Sequence, residues 1–320
     1  MAGPASIEPT PIDIGAVAKP DFAVLPDAGR MFADRAARFA ELAPGHPLEA
    51  YLRFLAELSE AQHAVQDDLP APELPSADAL ERAFEFGMPP LDRSRFDIGE
   101  VAHLTFERLL ERARAIAMPE PAAAARDRLI AAGREGRETL MTDALETSAG
   151  FETLAEHVFA SAALQVHFAR LAGSLDASRL ASVGVGACPC CGGPPVSSLV
   201  VSWSKAHGSR YVACGLCGTL WHHVRIKCVA CDSTEKIAYQ ALSADGETLT
   251  GETALEVRRD EAPIKAETCD ACGLYAKILH QHLQPSLDPV ADDVASLGLD
   301  LKVREAGWAR AAFNPYLLGY

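Results

Sequence analysis

The sequence predicts an α+β protein: an all-helical N-terminal domain, then two tandem cysteine-clipped metal modules and a C-terminal helix. Three observations carry this prediction. Apolar residues recur at helical spacing from about residue 27 to 183. Near Gly184 they give way to short β-branched and aromatic runs that hold four C-x-x-C pairs. From Leu287 the helical spacing returns. At 320 residues the chain is long enough for two domains. The character changes divide it into an arm over 1–26, a helical domain over 27–183, modules over 184–226 and 227–284, and a helix with tail over 285–320.

The segment "MAGPASIEPTPIDIGAVAKP" has neither a basic n-region nor an apolar h-region, and reads as a loose arm rather than a signal peptide. In "DAGRMFADRAARFAELA" (27–43), Met31, Phe32, Ala36, Phe39 and Leu42 share one helical face, and Pro44-Gly45 breaks the helix. A second helix over 46–69 repeats the pattern with Leu48, Leu52, Leu55 and Leu58, and has Pro47 near its first turn. After a proline-rich connector, Ser76 is a natural N-cap for a short helix over 77–86. "MPPLDRSRFD" (88–97) is a loop, followed by helices over 98–117, 121–146 and 150–173. The last is apolar on most sides, as expected of a helix central to a bundle. The core of this domain is expected to be separate from the modules, so the helices should survive loss of metal.

The next runs alternate with turn residues and read as strands: 197–203, 210–214, 219–227, 236–242 and 253–259. A hairpin turn is expected at Asp245-Gly246. A further helix over 288–307 leads into the apolar tail "WARAAFNPYLLGY", which should dock on the body of the protein.

Composition limits what the chain can do. The net charge is −15 and the pI near 5.1, which disfavours nucleic acid and anionic membranes as partners. Before Cys188, 17 basic residues face 29 acidic ones, whereas residues 188–282 hold 9 and 10 and are nearly neutral. No window reaches the run of about 18 apolar residues expected of a membrane span. A cytoplasmic setting, where thiols stay reduced, favours metal binding or catalysis over disulfides for closely paired cysteines.

A C-x-x-C turn supplies two sulfurs from one tight knuckle, and two knuckles on neighbouring hairpins complete a tetrahedral S4 site. Spacing groups Cys188, Cys191, Cys214 and Cys217 as one set and Cys228, Cys231, Cys269 and Cys272 as the other. Pairing the two middle knuckles is the alternative, but the outer pairs would then have to meet across about 77 residues. Gly192, Gly218 and Gly273 follow three knuckles and Asp232 the fourth; all tolerate a left-handed backbone. Tetrathiolate ligation suits zinc or a rubredoxin-type iron equally. Thiol–disulfide exchange is the rival chemistry, but none of the pairs opens a convincing helix. Cys190, inside the first knuckle, has no partner in this scheme. It is either a small outward-pointing residue, or an exchangeable ligand or reactive thiol beside the metal. His222 and His223 fall on opposite strand faces, His207 in a turn, and His280 and His282 on one face; eight sulfurs already fill both sites, which makes packing the ordinary role for all of them. No phosphate loop, dinucleotide fingerprint, nucleophile elbow or H-E-x-x-H motif is present.

The stretches "CPCCGGPPVSSLV", "RYVACGLCGTLWHHVRIKCVACDS", "IKAETCDACGLYAKILHQ" and "ADDVASLGLDL…NPYLLG" together resemble the FdhE family of formate dehydrogenase accessory proteins over residues 188–320. The resemblance implies a helical domain followed by two rubredoxin-like or zinc-ribbon modules. It further implies a cytoplasmic, non-enzymatic factor for the maturation or activity of respiratory formate dehydrogenase. Two Fe ions in rubredoxin-type sites (alternatively Zn) and the catalytic subunit as partner follow from it, with the eight paired cysteines as ligands. The family's first knuckle is similar to C-P-x-C-G, and here the variable position is Cys190. The alternative function is a redox protein, either an electron carrier or a thiol oxidoreductase using Cys190.

Overall fold

The computed structural model describes residues 20–148, 150–242 and 262–317. The helical half begins where Asp27 accepts a hydrogen bond from the Gly29 backbone N–H, starting α1 (Ala28–Leu42). A turn at Pro44-Gly45 leads to α2 (Glu49–Ala64). Ser76 accepts from the Ala79 N–H and starts α3 (Ala77–Glu85), as its capping chemistry predicts. Then follows α4 (Glu100–Ala113). The single helix expected over 121–146 is instead two, α5 (Glu120–Ala131) and α6 (Gly133–Glu146). The break falls at Gly133, whose φ of +66° a helix cannot continue through. Helix α7 (Leu154–Gly173) is buried along almost its whole length and runs through the centre of the bundle.

The strand-rich half forms β2 (Pro195–Val200), β3 (Arg210–Cys214), β4 (Leu220–His223), β5 (Ile237–Gln240), β6 (Ile264–Cys269) and β7 (Leu274–His280). Residues 20–26, read as part of a loose arm, contribute β1 (Ala23–Val24), which pairs antiparallel with β4 and covers that edge. The final short strand is β8 (Ala309–Arg310), paired with β7. The order is β1-β4-β3-β2-β7-β6-β5. Within each cysteine module neighbouring strands are antiparallel; the modules join through one parallel pair, with Ser198 opposite Ile278. The two tandem modules therefore share one sheet. The strand expected at 253–259 and the turn at Asp245-Gly246 lie outside the described residues. Strand β6 is not evident in the sequence, because "IKAETC" carries buried polar residues where strand patterning expects apolar ones.

The helix expected over 288–307 divides at Ser296 into α8 (Ala291–Ala295) and α9 (Leu297–Glu305). The tail docks: Tyr316 and Leu317 are buried. Its anchors are polar as well as apolar. The Tyr316 hydroxyl donates to Gln165 Oε1 on α7 at 2.8 Å, and Asn314 Nδ2 donates to Asp293 at 2.7 Å. Arg310 pairs with Asp293 and Asp300, which also face the fully buried Lys277.

One expectation is overturned by the packing. The helical core is not separate: one cluster joins Phe39, Leu55, Phe159 and Phe168 of the helices to Cys188, Cys191, Val196, Val212 and Trp221 of the first module. Gln165 carries the join into the first module itself, its Nε2 donating to the Gly215 carbonyl inside the "CGLC" knuckle at 2.6 Å.

Candidate metal centre

Three of the four knuckles close by the same backbone hydrogen bond. The N–H groups of Gly192, Asp232 and Gly273 donate to the carbonyls of Cys188, Cys228 and Cys269 at 2.8, 2.9 and 2.8 Å. Closing the turn requires a left-handed residue at its end, and Gly192, Asp232, Gly218 and Gly273 take φ of +72°, +61°, +75° and +71°. The Leu216 and Cys217 N–H groups then point at the Cys214 sulfur, both at 3.4 Å, and the Ala230 N–H points at Cys228 Sγ at 3.4 Å. Such donors stabilise thiolate over thiol.

The structure brings together the two sets that spacing predicts. Within each of the sets Cys188, Cys191, Cys214, Cys217 and Cys228, Cys231, Cys269, Cys272, the sulfurs lie within 4.8 Å of one another. Sulfur–sulfur distances include 3.6 Å (Cys188–Cys217) and 3.5 Å (Cys191–Cys214), and 3.8 Å for both Cys228–Cys272 and Cys231–Cys269. A tetrahedron with metal–sulfur bonds of about 2.3 Å has edges of about 3.8 Å. Disulfide sulfurs would be about 2.05 Å apart. The donor set therefore fits two tetrahedral metal ions of the zinc or iron type.

The two clusters differ in their surroundings. The first is sealed, with all four cysteines buried; in the second Cys231 is exposed and Cys272 half-buried. Burial pushes the Cys188 thiol well up, with its neighbouring sulfurs adding to the effect, and pushes Cys228 up to about 12. The Ser233 N–H draws Cys231 down. Packing four such sulfurs together leaves a concentration of negative charge that a cation relieves.

Cys190 does not point outward. It is fully buried and lies against Cys217 and Thr219; the Cys217 sulfur, followed by burial, pushes its thiol well up. It stands beside the first cluster and outside its set of four. The histidines lie outside both sets. His222 packs against Tyr211, the His223 ring is 3.1 Å from the Lys227 carbonyl, His207 is exposed in a turn, and the His280 and His282 rings contact one another.

Two arginines important to the clusters escape sequence reasoning. Arg93, from the loop before α4, faces Cys191 and Cys214. Burial draws its pKa down and those sulfurs hold it up. The same loop hydrogen-bonds the first knuckle, the Leu91 and Arg93 N–H groups donating to the Cys190 and Cys191 carbonyls at 2.9 and 3.0 Å. Arg210 is fully buried and forked onto Glu267 at 2.9 and 3.0 Å, and it also donates to the Lys227 carbonyl at 3.0 Å. It thereby pins the connection from β4 to Cys228 onto the sheet. Neither has a local signal, since an arginine in a polar loop or on a strand reads as solvated.

Comparison with known proteins agrees with this architecture. The chain matches the family descriptions "FdhE, N-terminal" over residues 20–185, "FdhE, central domain" over 187–225 and "FdhE, C-terminal domain" over 226–317. It is 42% identical over 314 residues to a protein FdhE homolog of Rhizobium meliloti (strain 1021), covering 98% of both chains. To a protein FdhE homolog of Serratia proteamaculans (strain 568) it is 37% identical, covering 90% of this chain and 88% of that one. The crystal structure of the FdhE protein from Pseudomonas aeruginosa superposes with a TM-score of 0.79 at 30% identity, covering 93% of this chain and 99% of the other. These matches span nearly the whole chain, and the chain belongs to the FdhE family.

Proposed function

We propose that this chain is a non-enzymatic accessory factor for the maturation or activity of respiratory formate dehydrogenase, gripping the catalytic subunit with a surface that two metal clips hold rigid. The observation that carries this reading is the open face where the first module runs into the second. Val224 and Ile226 are 48% and 63% exposed beside the clip, on backbone that Arg210 fixes in place, whereas Trp221 of the same run is buried in the core. Apolar side chains on a preorganised surface bind a partner without a large ordering cost. The setting is cytoplasmic in this reading, in keeping with thiols kept reduced for metal. No helix among the described residues is long and apolar enough to cross a membrane.

Cys188, Cys191, Cys214 and Cys217 hold one ion, and Cys228, Cys231, Cys269 and Cys272 the other. Iron is the proposed occupant of both, with zinc the alternative. Bound iron would supply one-electron chemistry; bound zinc would be redox-silent. The exposure of Cys231 favours a second reading, in which the open clip exchanges electrons with a partner.

Metal analysis with a visible spectrum, on protein purified without oxygen or added metal, separates these. Two irons per chain with a rubredoxin-type spectrum keep both readings. Two zincs eliminate the redox reading, and a value near zero eliminates the metal sites. Binding is tested with purified catalytic subunit: V224S/I226S should weaken capture at least tenfold without changing metal content. Undiminished capture would sink the proposed surface.

A further inference from the structure

The helical domain, the first module and the connection from β7 to α8 meet around a cavity of about 500 Å³. From α1 comes Met31, from the first module Leu199, Trp203 and Leu220, and from the connection Gln281 and Leu287. The volume lies in the ordinary range for small-molecule sites, about 300–1,000 Å³, and junctions between structural units are where such sites tend to form. Cys214 borders the same cavity, so an occupant sits beside the first sulfur cluster.

The charged residues of the wall are already matched. Arg30 pairs with Asp34 at 3.4 Å and Arg35 with Asp288 at 3.5 Å. Asp288 Oδ1 also accepts from the Val290 and Ala291 N–H groups at 2.9 and 2.7 Å, and Asp27 accepts from the Gly29 N–H at 3.1 Å as the cap of α1. A charged ligand would lose its hydration on entry and find no free counter-charge. Two features stay open. Trp203 keeps 37% of its surface exposed, its ring 5.3 Å from that of Tyr211, whose hydroxyl donates to the Asp21 carbonyl at 2.9 Å. Gln281 Nε2 donates to the Leu287 carbonyl at 3.4 Å, which orients the amide, and the buried Oε1 accepts no hydrogen bond among the described residues. Buried acceptors ordinarily find donors, so this oxygen points to an absent one.

We propose that this cavity binds a small neutral aromatic molecule carrying one hydrogen-bond donor. The Trp203 ring packs against the ligand ring, and Met31, Leu199, Leu220 and Leu287 enclose it. The Gln281 oxygen accepts from the ligand's N–H or O–H. The paired charges select against carboxylates and amines, and the unmet acceptor selects against rings without a donor. The site is separate from the Val224 and Ile226 surface, and it is independent of which metal the cysteines hold.

The test is isothermal titration of the full-length protein, as purified, with three probes at neutral pH: indole, N-methylindole, which lacks the donor, and indoleacetate, which adds a negative charge. Indole should bind once per chain, and N-methylindole and indoleacetate each about tenfold more weakly. W203A should weaken indole and N-methylindole alike. Q281L should instead abolish the difference between them, a change that general damage to the fold does not produce. Trp203 is partly exposed, so W203A keeps the test readable if Q281L fails to fold. The proposal is overturned by any of four results: no indole binding, indoleacetate binding as tightly as indole, binding unchanged in W203A, or a preference for indole over N-methylindole that persists in Q281L.

Discussion

Arg93 sits where a cluster of buried sulfurs most needs a counter-charge. Four thiolates around a divalent ion leave a net charge of about −2, and a partly buried guanidinium offsets some of it at low dielectric cost. Removing such an outer partner typically lowers metal affinity about 10–100-fold. R93L should therefore release metal from the first cluster in chelator competition while the second keeps its ion. Equal retention in both would show Arg93 to be a packing residue only. His167 gives a second prediction at this scale. It packs edge-on against Phe96 and Phe168, and burial followed by Arg170 holds its pKa at about 4. The unfolded chain, near its ordinary 6.5, takes up this proton first. The histidine's contribution is therefore complete above about pH 6.5 and is lost as pH falls toward 4. H167F should flatten that acid-side loss of stability by about one proton in urea unfolding at several pH values.

The knuckles were legible because their chemistry is local. Two sulfurs three residues apart and a residue able to adopt positive φ are visible in one dimension. Strand β6 was not legible, because Lys265 and Glu267 are buried by partners distant in sequence. Nor was the break in the helix expected over 121–146, since an isolated glycine is tolerated in many helices. What each clip does for stability depends on its neighbours. Cys188, Cys191, Cys214 and Cys217 belong to the large core cluster, whereas Cys231 lies at the surface. C217S should thus lower the melting temperature of the whole chain, while C231S should act mainly on the second module. Equal losses measured by circular dichroism would contradict this difference. The tail is an element of the same kind. Tyr316→Phe removes the hydroxyl that reaches Gln62 and Gln165 and should cost about 1–2 kcal/mol in urea unfolding.

For the molecule as a whole, the shared core changes what metal loss should do. Stripping both clusters with a chelator should reduce the helical signal as well as the strand signal, in one transition. This follows because Phe159 and Phe168 pack in the same cluster as Cys188 and Cys191. A helical region melting unchanged after stripping would restore the separate-core expectation. The sequence by itself determined the α+β class, the order of helical and strand-rich parts and the grouping of eight cysteines. Those properties reside in periodicity, turn chemistry and short spacings, which a linear chain displays. Only the tertiary structure decided that the modules share one sheet, that Cys190 faces inward, and that Arg93 and Arg210 serve the clusters. Each of these depends on residues far apart in the chain meeting through burial, and burial is set by the packing of the whole.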